Sequence, residues 1–147
     1  MYTRKSWREK LDNPNLPKVV KIPANMRKQL GRGTMLIPSP RDVDALIRKV
    51  PKGGLITVGR LREDLARKFA ADVTCPLTTG IFVRIAAEAA EEDAREGKKR
   101  ITPYWRVIKD DGSMNPKFPG GVAAQSERLR DEGHTLDTTR KIARVIT

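Results

Sequence analysis

Covalent chemistry has few candidates in this sequence: one cysteine, Cys75, and one histidine, His134. A cysteine attacks as its thiolate, which near neutral pH needs a base or cation beside it. The only histidine that could serve Cys75 lies far along the chain, past two further helical patterns. Cys75 is therefore expected to be buried as a small apolar side chain. One cysteine excludes an internal disulfide, and one histidine with one cysteine does not suit a structural zinc site. No cofactor is expected. Charge is the chemistry the sequence does offer in quantity. Thirty Lys and Arg against 18 Asp and Glu leave a formal net charge of +12 on 147 residues. That exceeds what solubility asks of a small domain and points to a polyanionic partner, nucleic acid before any membrane surface. One stretch stands apart by type and spacing. It runs Pro103-Tyr104-Trp105-Arg106, Val107-Ile108, a turn at Asp110-Asp111-Gly112, and a loop with Pro116, Pro119, Gly120 and Gly121. An amphipathic helix ending at Gly133 follows.

The elements that must position these residues are mostly helical. Met1 to Leu11 suits a short helix with Trp7 as an anchor. Asp12 to Pro40 holds five prolines with Gly31 and Gly33, which forbids a long helix and reads as an extended arm with a helical turn at Asn25–Leu30. The arm's cations (Lys18, Lys21, Arg27, Lys28, Arg32) suit phosphate contacts and a solvated linker equally. Ser39-Pro40 reads as a helix start, with Val43, Leu46, Ile47 and Val50 on the buried face. Pro51 to Gly54 ends that helix. Thr57 caps the next, whose core side carries Val58, Leu61, Leu65 and Phe69 and whose outer side carries Arg60. A third helix is expected from Thr78 or Thr79 to about Arg95, with Ile81, Phe82, Ile85, Ala86 and Ala89 inward. Its start (Thr78, Thr79, Gly80, Arg84) is free of carboxylates, whereas its end carries Glu88, Glu91, Glu92 and Asp93. A helix N-terminus with free N–H groups favours phosphate. Lys98, Lys99 and Arg100 then form a basic loop suited to clamping phosphates. In the last helix Gln125, Arg128 and Arg130 are expected at the surface, with Gly133 as C-terminal cap. The tail from Thr135 is expected to form a short helix or stay mobile. These elements group as an N-terminal helix and arm (1–38), a DNA-binding domain (39–134) and a tail (135–147).

The stretch from Thr102 to His134 resembles the alkylguanine-DNA alkyltransferase family. Its members carry Pro-Cys-His-Arg-Val, a turn, Gly-Gly and a helix closing in Glu-Gly-His. Pro103, Arg106, Val107, Ile108, Gly112, Gly120, Gly121, Leu129, Glu132, Gly133 and His134 fall in register with that pattern. Tyr104 stands at the cysteine nucleophile and Trp105 at the activating histidine. A phenol with an ordinary pKa near ~10 is a poor nucleophile, and an indole is no base. The chain thus resembles the cysteine-less, alkyltransferase-like branch, which usually carries tryptophan at the nucleophile position and keeps the histidine. Val58 replaces a tyrosine that helps to rotate the nucleotide, Gly80 lies nearest the arginine that fills the gap in the stack, and the asparagine-proline hinge is absent. The resemblance implies a mainly α, winged-helix-like helix-turn-helix domain of the alkyltransferase C-terminal type, with an extended N-terminal arm. It further implies DNA contacts at Arg60, Thr78, Thr79, Gly80, Arg84, Lys98, Lys99 and Arg100. A base pocket is implied at Tyr104, Trp105, Arg106, Gly120 and Gly121, with Arg106 turned inward as a brace and Tyr104 at the floor.

The function expected from this resemblance is a non-enzymatic DNA binder that recognises alkylated or otherwise damaged bases and flags them for repair proteins. The alternative is a winged-helix regulator or architectural protein that extrudes no base. An enzyme using Cys75 as alkyl acceptor is the third and least favoured reading. Double-stranded DNA, including DNA with alkylated guanine, is the expected partner of a monomer. The expected location is cytoplasmic, on the nucleoid in a prokaryote. No apolar run approaches the roughly 18 residues that span a bilayer.

Overall fold

The structure, a computed structural model, describes residues 5–146. Six α-helices carry most of the order: α1 (Trp7–Lys10), α2 (Arg27–Leu30), α3 (Pro40–Arg48), α4 (Val58–Lys68), α5 (Pro76–Arg95) and α6 (Gly121–Asp131). Seven short strands accompany them: β1 (Lys18–Lys21), β2 (Thr34–Ile37), β3 (Ile56–Thr57), β4 (Val73–Thr74), β5 (Val107–Ile108), β6 (Thr135–Asp137) and β7 (Arg144–Ile146). The class is mainly α.

Local chemistry sets the helix boundaries. Ser39 and Asp42 form a reciprocal capping box at α3, with Pro40 in its first turn, where a missing N–H costs nothing. The Thr57 hydroxyl accepts the Arg60 N–H to start α4. The ends of α4, α5 and α6 share one device. The residue after each helix's C-cap turns left-handed, and the next N–H reaches back to the carbonyl five residues earlier. Gly97 and Gly133 take this turn after α5 and α6, but Ala70 takes it after α4 at φ +54°.

The core lies between α3, α4, α5 and α6. Val43 and Ile47, Leu61 and Leu65, Val83 and Ala86, and Leu129 fill it from the four helices. Alanines at 86, 87, 89 and 90 let neighbours approach α5 closely. A smaller cluster of Ile22, Met35 and Cys75 lies beside it.

Three expectations are corrected. Residues 12–38 carry more than an extended arm with a helical turn. β1 pairs antiparallel with β2, and β2 pairs parallel with β4. Prolines at 17 and 23 flank β1, which sits at a sheet edge where proline does no harm. The tail forms an antiparallel β6–β7 hairpin, its apolar residues alternating so that Ala143 and Val145 are buried and Ile146 is out. Finally α5 begins at Pro76, two residues before the expected start, and Ile81 is exposed where an inward position was expected. The part of the N-terminal helix expected over Met1–Arg4 lies outside the described residues.

Candidate nucleic-acid interface

The motif from Pro103 onward folds around one carboxylate. A short 3-10 turn (Tyr104–Arg106) leads into β5, which pairs in parallel with β3 and so ties the motif to the start of α4. Arg106 points inward. Its Nε and Nη2 donate to the two oxygens of Glu132 at 2.9 and 2.8 Å, and its Nη1 donates to the Val50 carbonyl at 2.7 Å. Trp105 Nε1 donates to Glu132 at 2.9 Å, and the Gly53 N–H donates to it at 3.2 Å. The left-handed turn at Gly133 fixes Glu132 as the C-cap of α6 and aims it into this cluster. Burial alone would raise the Glu132 pKa. The hydrogen bonds from Arg106, Trp105 and Gly53, with the Arg106 charge, outweigh it and hold the carboxyl at about 2.

Tyr104 sits in the core and does not floor an open pocket. It is 2% exposed, meets Trp105 and Phe118 edge-to-face with centroids 5.3 Å away, and donates its hydroxyl to Glu91 at 3.3 Å. Burial, with the nearby Glu91 charge, pushes the phenol up to about 12. Trp105 is buried as well, and the Arg128 guanidinium lies 4.2 Å from its ring centroid. Gly120 and Gly121 form the left-handed turn that opens α6. A Cβ on Gly120 would stand 2.5 Å from the Ala124 methyl, so the close approach needs glycine. Gln125, expected at the surface, is buried. Its amide donates to the carbonyls of Trp105 and Val107, and its oxygen accepts the Asn115 N–H. It holds the 104–108 backbone against the loop that precedes α6, and one polar residue among alanines gave no hint of that.

The N-terminal half of α5 faces outward with Leu77, Gly80, Ile81 and Arg84, at spacings of three, four and seven. Leu77 is 71% and Ile81 47% exposed, one helical turn apart on the same face. Thr79 turns the other way. It is fully buried and donates its hydroxyl to the Cys75 carbonyl at 2.7 Å, so it offers nothing to a partner. Thr78 is half-buried, its hydroxyl unpartnered among the described residues.

A cleft of about 700 Å³ runs between this face, α1 and the 109–117 loop. Lys10, Arg84, Lys109 and Lys117 line it with no carboxylate, and none of the four is in an ion pair among the described residues. Lys10 Nζ lies 4.0 Å and Arg84 Cζ 6.0 Å from the Trp7 ring centroid, within cation–π reach. Glu92 seats α1 by accepting the N–H groups of Trp7 and Arg8 at 3.0 and 3.1 Å, and Arg8 pairs with Asp93 and Glu96. The acidic end of α5 is thereby occupied by α1. Sequence reasoning missed Lys10, Lys109 and Lys117 as cleft residues. Lys109 precedes two aspartates, but both face elsewhere. Asp110 accepts the Gly59 N–H, and Asp111 serves Ser113 and Arg144.

The expected site residues do not converge on one surface. α5 has 20 residues and so is about 30 Å long. Gly80 and Arg84 stand near one end, and Lys98, Lys99 and Arg100 follow the other. Those three line a separate cavity beside Trp105. Arg60 is exposed on α4 and paired with Asp64 at 3.0 Å. Among the described residues no His, Cys, Asp and Glu cluster could hold a metal ion, and no helix is long and apolar enough to cross a membrane.

No protein-family model matches the chain, and no curated protein matches it. A solved structure similar to it is Atl1 of S. pombe in complex with damaged DNA containing O6-carboxymethylguanine. The TM-score is 0.47 at 19% identity, over 74% of this chain and 87% of that chain.

Proposed function

We propose that this protein binds duplex DNA without catalysing a reaction on it, gripping the duplex in the cleft between α1, α5 and the 109–117 loop. The observation that carries this reading is the composition of that cleft: four cations with no carboxylate among them, beside the exposed Leu77 and Ile81. Phosphates meet the cations, while apolar side chains on a narrow helix face suit the floor of a groove, where such residues wedge between base steps. In this reading α4 and α5 act as the helix-turn-helix, and α5 is the helix presented to the groove. A buried phenol with a pKa near 12 is no nucleophile at neutral pH. Cys75 is buried at the start of α5, in a different cluster from the motif.

The finer reading is recognition of alkylated or otherwise damaged bases. It is supported by the resemblance over Thr102 to His134 and by the way Arg106, Glu132 and Gly133 act as one unit. A second reading, an architectural protein that extrudes no base, is favoured by the burial of Tyr104 under Trp105 and Phe118. Affinities for matched duplexes with and without an alkylated guanine, at one salt concentration, separate the two. Damage recognition expects at least about tenfold preference for the lesion, because extrusion costs a few kcal/mol and costs least for a weakened base. Equal affinities leave the architectural reading. In the same incubation the intact mass of the protein is expected to stay unchanged; a gain of one alkyl group would overturn the non-enzymatic reading.

A further inference from the structure

The cavity at the far end of α5 is a second cationic recess. It measures about 550 Å³ and is lined by Arg48, Lys98, Lys99, Arg100, Arg106 and Arg128, with no carboxylate among its lining residues. Four of these cations have acidic partners behind them: Asp44, Asp93, Glu132 and Glu91 in turn. The side chains of those carboxylates are only 8% to 18% exposed; they brace the four cations from within and offset much of their charge, so the cavity's free charge comes from the other two. Lys99 and Arg100 carry no ion pair among the described residues, and the left-handed turn at Gly97 swings them clear of the acidic helix end. We infer that this cavity is a second phosphate site, which takes the backbone of a separate DNA segment, so that one chain holds two duplexes.

The inference rests on the DNA-binding reading of the cleft. Its own support is the geometry between the two surfaces. They lie at opposite ends of a 20-residue helix, about 30 Å apart. The intervening turns carry Glu88, Glu91, Glu92 and Asp93, with α1 packed across them. Glu88 has no ion-pair partner among the described residues. Glu91, Glu92 and Asp93 are already held by Arg128, the α1 N–H groups and Arg8. A straight duplex laid from cleft to cavity would therefore have to cross α1 and pass its phosphates over the unpaired Glu88. It could not bow around them either, because DNA is stiff on this length scale, with a persistence length of about 150 base pairs. Two segments, one at each end, avoid that crossing.

Sedimentation velocity with a duplex of about ten base pairs, one helical turn, tests this at low salt. With DNA in excess the intact chain is expected to carry two duplexes. Lys99→Glu with Arg100→Glu, both at exposed positions, is expected to stop at one, its first association within about twofold of the original. Arg84→Glu with Lys117→Glu is expected to keep only the cavity's duplex. A chain that stops at one duplex at every excess would overturn the second site and leave the cleft standing. So would a tenfold weaker first association in the Lys99/Arg100 variant, which would merge both surfaces into one footprint. Absence of any complex would overturn cleft and cavity together.

Discussion

Glu132 is the residue on which the motif turns. It takes hydrogen bonds from Arg106, Trp105 and Gly53, and its side chain is 8% exposed. Removing one partner of a buried pair leaves the other charged and uncompensated, which typically costs about 3–5 kcal/mol. Glu132→Ala is expected to lose stability in that range by urea unfolding. The pH dependence has a definite sign. The folded pKa, about 2, lies below the ordinary value of 4.5. The stabilisation is thus complete above about pH 4.5 and fades as the pH falls towards 2; its full size is about 3 kcal/mol. Glu132→Gln should flatten the acid limb of the stability profile, and an unchanged limb would show that the carboxylate is not so held. Ala70 is the second telling residue, since an alanine at φ +54° pays a steric cost that glycine does not. Ala70→Gly is expected to raise stability by about 0.5–1 kcal/mol, although glycine is the more flexible residue when unfolded. A loss in thermal or urea unfolding would contradict the strain.

Among the elements, α3, α4 and α6 were legible because their signals are local. A Ser-Pro start, a Thr cap and a Gly stop need no knowledge of distant neighbours. The three-stranded sheet was not legible, because β1 and β4 are short and the pairing of β2 with β4 joins residues far apart in sequence. Counting prolines over residues 12–40 ruled out a long helix correctly, but it could not reveal an edge strand. The site divides along the same line. The inward brace at Arg106 followed from the motif, whereas the burial of Tyr104 and Gln125 depends on what packs above them. The cleft was the least legible, since α1, α5 and the 109–117 loop meet only in the fold. Where they meet, Trp7 of α1 holds Lys10 at the cleft wall. Trp7→Ala is expected to free Lys10 and lower the salt slope of duplex binding by about 0.9, one phosphate contact. An unchanged slope would show that α1 only covers α5.

At the scale of the whole molecule, a net charge of +12 ensures some attraction to any polyanion, so affinity alone does not identify an interface. The distribution of charge does. Carboxylates pair with Arg8 and Arg41, and Asp64 is shared by Arg60 and Arg67, while the cleft is left with four cations and no acid. If those four meet phosphates, the logarithm of duplex affinity should fall against the logarithm of salt with a slope of about −3.6, at 0.9 per contact. Diffuse attraction by net charge would instead be insensitive to which cations are removed. The most direct measurement is therefore this slope, taken by fluorescence anisotropy on an unmodified duplex. It is compared between the original chain and Arg84→Ala with Lys117→Ala. The cleft predicts a slope near −3.6 that falls to about −1.8 in the variant. The same slope in both proteins would contradict it.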